Sequence, residues 1–190
     1  MNMGFPDGRL PLDRLDSGPV EWAGPLRADS EAWDLGDVDL IRQPDVSLRL
    51  EATGDGGVRL RGRLEADVEQ ECRRCLEPVQ SQVVLDLDLR FDPEIGQEEE
   101  AEGLYLLDPH GAELDLLPAL REELLLALPE FPLCRDSCRG LCPRCGANRN
   151  DVGCDCRVEA KDPRWDVLRE NFPTEPDARG GSGDGSEDDR

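Results

Sequence analysis

Hydrophobic and polar residues alternate strictly in three stretches of the chain. In VSLRLEA, Val46, Leu48, Leu50 and Ala52 share one face; in VRLRGRLEADVEQEC, Val58, Leu60, Leu64, Ala66 and Val68 do; in VVLDLDLRF, Leu85, Leu87, Leu89 and Phe91 do. A period of two is that of a strand with one face on a core and the other in water. Between the first two stretches, GDGG offers residues that accept positive φ and predicts a hairpin turn. The expected product is an antiparallel β meander with a barrel-like sheet. After the acidic run DPEIGQEEEAEG, the stretch LYLLDPHGAELDL predicts a second, shorter hairpin turning at residues 108–111. Residues 1 to about 40 carry Pro, Gly and short apolar pieces and read as edge strands or loops.

The period then changes. Leu116, Leu117, Leu120, Leu124, Ala127 and Leu128 recur at three-to-four spacing, which predicts one amphipathic helix over about 115–128 packed on the sheet. Asp115 can cap its start, Pro118 fits its first turn and Pro129 stops it. Beyond it the pattern gives way to a cysteine-rich segment, then to DPRWDVLRENF, a short helix docking Trp165 and Leu168. From Pro173 the chain is too polar to fold. The expected organisation is an α+β chain: a β-rich domain with the helix over 1–132, a zinc-ribbon-like cysteine module with the short helix over 133–172, and a disordered acidic tail over 173–190.

Composition narrows the function. A chain of 190 residues with 37% hydrophobic content can bury one ordinary core. Lys+Arg of 22 against Asp+Glu of 44 leave a net charge of -22, which repels nucleic acid and anionic membrane at long range and favours basic partners. The acidic run 98–102 would then outweigh any arginine patch in binding. No apolar leader opens the sequence and no window approaches a membrane span, so a soluble, cytoplasmic protein is expected. In a reducing cytosol, closely spaced cysteines are metal ligands more often than disulfides.

Six of the eight cysteines fall in LCRDSCRGLCPRCGANRNDVGCDC. CPRCG is a tight turn that aims two thiolates at one ion, with Gly146 able to take the left-handed conformation that completes the loop. Zinc takes four tetrahedral ligands, so the simplest partition sets Cys142, Cys145, Cys154 and Cys156 around one ion and Cys72, Cys75, Cys134 and Cys138 around another. One ion with spare thiols remains an alternative. So does a redox pair at Cys72 and Cys75, although ECRRCLEP sits at a hairpin tip and lacks the helix N-terminus that lowers a redox thiol's pKa. A third alternative leaves these two as buried free thiols.

Nothing announces catalysis. The single histidine, His110, lies in the turn sequence DPHG, and no HExxH, GxSxG or phosphate-binding glycine motif occurs. The expectation is a non-enzymatic protein with no small-molecule substrate. Arginines remain as binding candidates. Arg49, Arg59, Arg61 and Arg63 lie on outer strand faces with Arg73 and Arg74 at the hairpin tip, a face that could meet RNA phosphates. A turn around residues 75 and 76 would set Arg63 opposite Asp88 and Glu65 opposite Asp86, pairing part of that stripe. In the cysteine module Arg135, Arg139, Arg144 and Arg149 are the candidate RNA or partner contacts. A Cys₄ zinc centre carries a formal charge of about -2 that offsets them.

These blocks, CRRCLEP, then ELDLLPALREELLLALPEFPLC, then CRGLCPRCGANRN with CDC and the closing DPRWDVL, resemble in their order the YceD-like family of bacterial proteins, named for accumulation of large-subunit ribosomal RNA. The resemblance runs from about residue 10 to 170. It implies a non-enzymatic accessory role in making the large ribosomal subunit, with ribosomal precursor particles, ribosomal RNA or a basic ribosomal protein as partner. It implies no catalytic residues; zinc is expected from the cysteine spacing alone. The alternative class is a zinc-ribbon adaptor for other protein complexes, and a third is a thiol redox enzyme.

Overall fold

The structure is a computed structural model and describes residues 5–27, 33–94 and 103–156. The acidic run 98–102, the expected short helix with Trp165 and Leu168, and the tail 173–190 lie outside the described residues.

The chain is mostly β. In order it forms β1 (Arg9–Pro11), a 3-10 turn (Leu12–Ser17), β2 (Val20–Pro25), β3 (Asp39–Leu40), β4 (Asp45–Ala52), β5 (Val58–Glu71), β6 (Pro78–Asp92), β7 (Leu104–Leu106), β8 (Glu113–Asp115) and α1 (Leu117–Ala127). Six strands make one sheet in the order β2-β4-β5-β6-β7, with β3 on β5 beside the end of β4; β1 and β8 form a separate pair. The three alternating stretches are its central antiparallel strands. Among the described residues the sheet is open and no barrel closes.

Two local expectations are corrected. Residues 108–111 do turn, with Gly111 N–H donating to the Asp108 carbonyl at 3.1 Å, but the strands on either side do not pair. β7 runs parallel to β6, and β8 joins β1. Each flank is three residues long, too short to compete with a long edge or a strand held at the start of the helix. The β5–β6 register also differs: Arg63 faces Asp86 and Arg61 faces Asp88. The shift is two residues, so every side chain keeps its expected face.

The period-two faces build the core. Val46, Leu48, Leu50, Leu60, Leu64, Val68, Leu87 and Leu89 are buried, and α1 lays Leu117, Ala119, Leu120 and Leu124 against them. The helix begins where expected: Leu117 N–H donates to Asp115 Oδ1 at 3.1 Å. The N-terminal region contributes more than its pattern announced. Phe5, Leu10, Trp22, Leu26, Trp33 and Leu35 all enter the core, and Phe5 meets Trp22 edge-on with ring centroids 5.9 Å apart.

On the outer face the arginines are paired. Arg59 grips Asp88 with two contacts of 2.8 Å, and Arg61 joins it at 3.3 Å. Arg63 meets Asp86 at 3.0 Å and Arg49 meets Glu21 at 2.7 Å. With its guanidinium groups committed to carboxylates, this face presents little unpaired positive charge to phosphates.

Two predictions follow the packing and the pairing. Leu120→Ala opens a cavity at a fully buried position and should lose about 2–5 kcal/mol in denaturant titration; a loss below about 0.5 kcal/mol would place the helix stripe away from the core. Hydrogen bonding from Arg59, with the nearby Arg61 charge, holds the Asp88 carboxyl at about 2, below its ordinary 3.8. A depressed folded pKa stabilises above the unfolded value and loses that effect as pH falls through the folded one. Asp88→Asn should therefore flatten the fall of Tm between about pH 4 and pH 2, and an unchanged acid slope would show that the pair does not contribute.

Candidate metal centres

The β5–β6 hairpin carries Cys72 and Cys75 at its tip, beyond the last ladder pair, Glu71 with Pro78. The first CxxC loop closes with two backbone hydrogen bonds: Cys72 N–H donates to the Glu77 carbonyl at 2.8 Å, and Leu76 N–H to the Cys72 carbonyl at 2.9 Å. The second repeats them. Cys142 N–H donates to the Ala147 carbonyl and Gly146 N–H to the Cys142 carbonyl, both at 2.8 Å. The residue after the second cysteine is left-handed in each, Leu76 at φ 62° and Gly146 at φ 73°. The leucine carries a conformational cost of roughly 1–2 kcal/mol that the glycine does not.

The chain leaving α1 folds back onto this tip. Arg73 N–H donates to the Pro132 carbonyl at 2.9 Å and Leu141 N–H to the Arg74 carbonyl at 2.8 Å. The Arg74 guanidinium donates to the Cys138 carbonyl at 3.0 Å. Gly140 takes φ 68° so that this approach can be made; a Cβ there would stand 2.8 Å from the Arg74 carbonyl oxygen.

The result is two groups of four thiols, Cys72, Cys75, Cys134 and Cys138, and Cys142, Cys145, Cys154 and Cys156, with the sulfurs of each group within 4.8 Å of one another. A tetrahedron with zinc–sulfur bonds of about 2.3 Å has edges of about 3.8 Å. Cys72 and Cys138 are 3.8 Å apart and Cys75 and Cys134 3.6 Å, and no disulfide joins any of the eight. Each group can hold a metal ion, and the donor set suits zinc. The first is the more buried: Cys72, Cys75 and Cys138 are enclosed, packed by Val79, Leu133 and Leu141, whereas the second buries only Cys142.

Within each group the thiols differ in how readily they ionise. Burial pushes Cys72 up, but backbone N–H groups, Cys134 and Arg74 foremost, outweigh it and hold the thiol at about 6. The N–H groups of Cys145 and Arg144 hold Cys142 at about 6. Cys156 is pushed up to about 12, first by the neighbouring Cys145 and then by burial. In the first group Cys134 is likewise pushed up to about 12, by burial first and then by Cys75. Crowded thiolates repel one another, a repulsion that a dication removes.

Sequence reasoning missed Asn150. Its side-chain amide lies 3.4 Å from Cys138 Sγ, and its carbonyl oxygen accepts the Arg139 N–H at 2.8 Å, so a residue of the second loop braces the first group. Only the tertiary fold brings it there. His110 is exposed in its turn, its N–H donating to Asp108 Oδ1 at 2.9 Å. Arg135, Arg139, Arg144 and Arg149 are exposed on the cysteine module; the first, second and last are in no ion pair among the described residues. Among the described residues, no helix is long and apolar enough to cross a membrane.

Fold and thiols together define the class: an open, mostly antiparallel sheet with one principal helix, whose longest hairpin shares a Cys₄ group with a following cysteine module. The family model described as large ribosomal RNA subunit accumulation protein YceD matches residues 60–170, and the chain belongs to that family. An uncharacterized protein of Mycobacterium tuberculosis is 35% identical over 135 residues, 70% of this chain and 64% of that protein. Large ribosomal RNA subunit accumulation protein YCED homolog 1, chloroplastic, of Arabidopsis thaliana is 32% identical over 102 residues, 48% of this chain and 32% of that protein. Large ribosomal RNA subunit accumulation protein YceD of Haemophilus influenzae is 26% identical over 100 residues, 50% of this chain and 56% of that protein. The chain thus spans 64% of the length of the Mycobacterium tuberculosis and Mycobacterium bovis proteins it matches. No solved structure matches it.

If the second thiol group is what orders its loop, Cys142→Ser should abolish amide-exchange protection over residues 142–150 while the β5–β6 ladder stays protected. Protection in the loop equal to that of the unaltered chain would show that it folds without the group.

Proposed function

We propose that the protein is a non-enzymatic, zinc-binding factor of the cytoplasm that supports accumulation of the large ribosomal subunit by binding a basic ribosomal protein in precursor particles. The observation that carries the zinc reading is the meeting of four thiols within 4.8 Å of one another, twice over, the first group drawn from two distant segments. Membership of the YceD family supports the ribosomal role. The charge of -22 and the pairing of the sheet-face arginines favour a basic protein over bare RNA as the direct contact. In this reading the metals supply no reaction. Each fixes a loop that has little apolar core of its own, with a binding free energy of about 10 kcal/mol or more available for the purpose.

Elemental analysis of the purified chain should give two zinc ions per chain. The zinc-loaded protein should sediment with large-subunit precursor particles, and a chelator that strips both ions should release it. Zinc-free protein that retains full loop protection, or a loaded protein that stays clear of the particles, would defeat this reading.

A further inference from the structure

The two CxxC loops share one hydrogen-bond pattern and differ at the residue that must be left-handed. Gly146 meets that demand without strain. Leu76 meets it against its own preference at φ 62°, and it remains 55% exposed. At the same hairpin tip the Arg73 guanidinium lies 5.4 Å from the ring centroid of Phe131, itself 68% exposed. A strained leucine that stays largely exposed has the character of a binding anchor.

Leu76 and Arg73 line a cleft of about 780 Å³ between the hairpin tip, β3 and the turn after α1. Its walls also carry Asp37, Asp39, Glu69, Glu71 and Glu130. Among the described residues none of these five carboxylates is in an ion pair, although the arginines of the sheet face each have one. In the same wall the Gln70 side-chain oxygen is buried with no hydrogen-bond partner. The cleft therefore combines five carboxylates against one arginine with an exposed leucine. Phosphates would be repelled by it.

We propose that this cleft docks a protein segment that sets an arginine or lysine against Glu69, Glu71 and Glu130 and an apolar side chain on Leu76. The assignment rests on the protein-partner reading above and locates it at the hairpin tip. It explains why leucine stands where the second loop has glycine: the side chain is spent on the partner, and the first metal group holds the strained turn in place.

The test uses the zinc-loaded full chain, individual proteins extracted from purified large ribosomal subunits, and protein-free large-subunit RNA. The unaltered chain should bind at least one basic subunit protein, with affinity falling as salt rises. L76G should weaken that binding at least tenfold without lowering Tm or zinc content, because glycine removes the backbone strain. The triple variant E69Q/E71Q/E130Q should weaken it and reduce its salt dependence. Binding by L76G equal to that of the unaltered chain, a lower Tm for L76G, binding to no subunit protein, or variant-sensitive binding to RNA would each overturn the proposal. If all variants sediment with precursor particles as the unaltered chain does, the cleft is wrong and the ribosomal reading stands. If variant-sensitive binding to a basic protein persists but no form joins the particles, the cleft stands and the ribosomal reading fails.

Discussion

The β5–β6 ladder runs without a break from Val58 opposite Phe91 to Glu71 opposite Pro78 and serves two ends of the molecule. At one end its inward side chains, Leu60, Leu64, Leu87 and Leu89, form the middle of the core under α1. At the other it projects two thiols beyond the last pair. Fourteen residues of strand span roughly 45 Å, so the tip could not be placed reliably by the core alone. The contacts from Pro132 to Leu141 supply the second anchor. Hairpin and cysteine module each lack the apolar surface to order the other, and the shared thiol group is the natural tie.

The strands and the thiol partition were legible because both are local signals. A period of two sustained over eight or more residues has few competing readings, and CxxC turns impose their geometry within five residues. What sequence could not show depends on distant partners. LYL and ELD look like hairpin arms, yet β7 finds the free edge of β6 and β8 finds β1. Trp22 and Trp33 sit in sequence too irregular to announce a core, and their burial is decided by what closes over them. Asn150 reads as one more polar loop residue until the fold sets it against Cys138. The register slip was of the same kind: alternation fixes which face a residue takes, but the turn fixes its partner.

Charge is distributed with a purpose that net charge conceals. On the sheet face, arginine and carboxylate alternate across strands and neutralise one another, as Arg59, Arg61 and Arg63 do with Asp86 and Asp88. Such exposed pairs add little stability individually. They do cancel the field of that face, leaving the excess negative charge elsewhere. Around the hairpin tip the carboxylates of Asp37, Glu71 and Glu130 are in no ion pair among the described residues.

The two CxxC loops meet one backbone demand with different residues. The same hydrogen bonds and nearly equal φ values, in loops that differ at three of the five positions from Arg73 to Glu77 and from Pro143 to Ala147, show that closing the turn is what the backbone must achieve. Glycine achieves it at no cost. Leucine achieves it only if something holds the turn shut, and the first loop is the one whose thiols are most enclosed and whose carbonyls are clasped by the returning chain. Strain is therefore carried at the better-anchored centre and avoided at the more exposed one, which is the order stability requires.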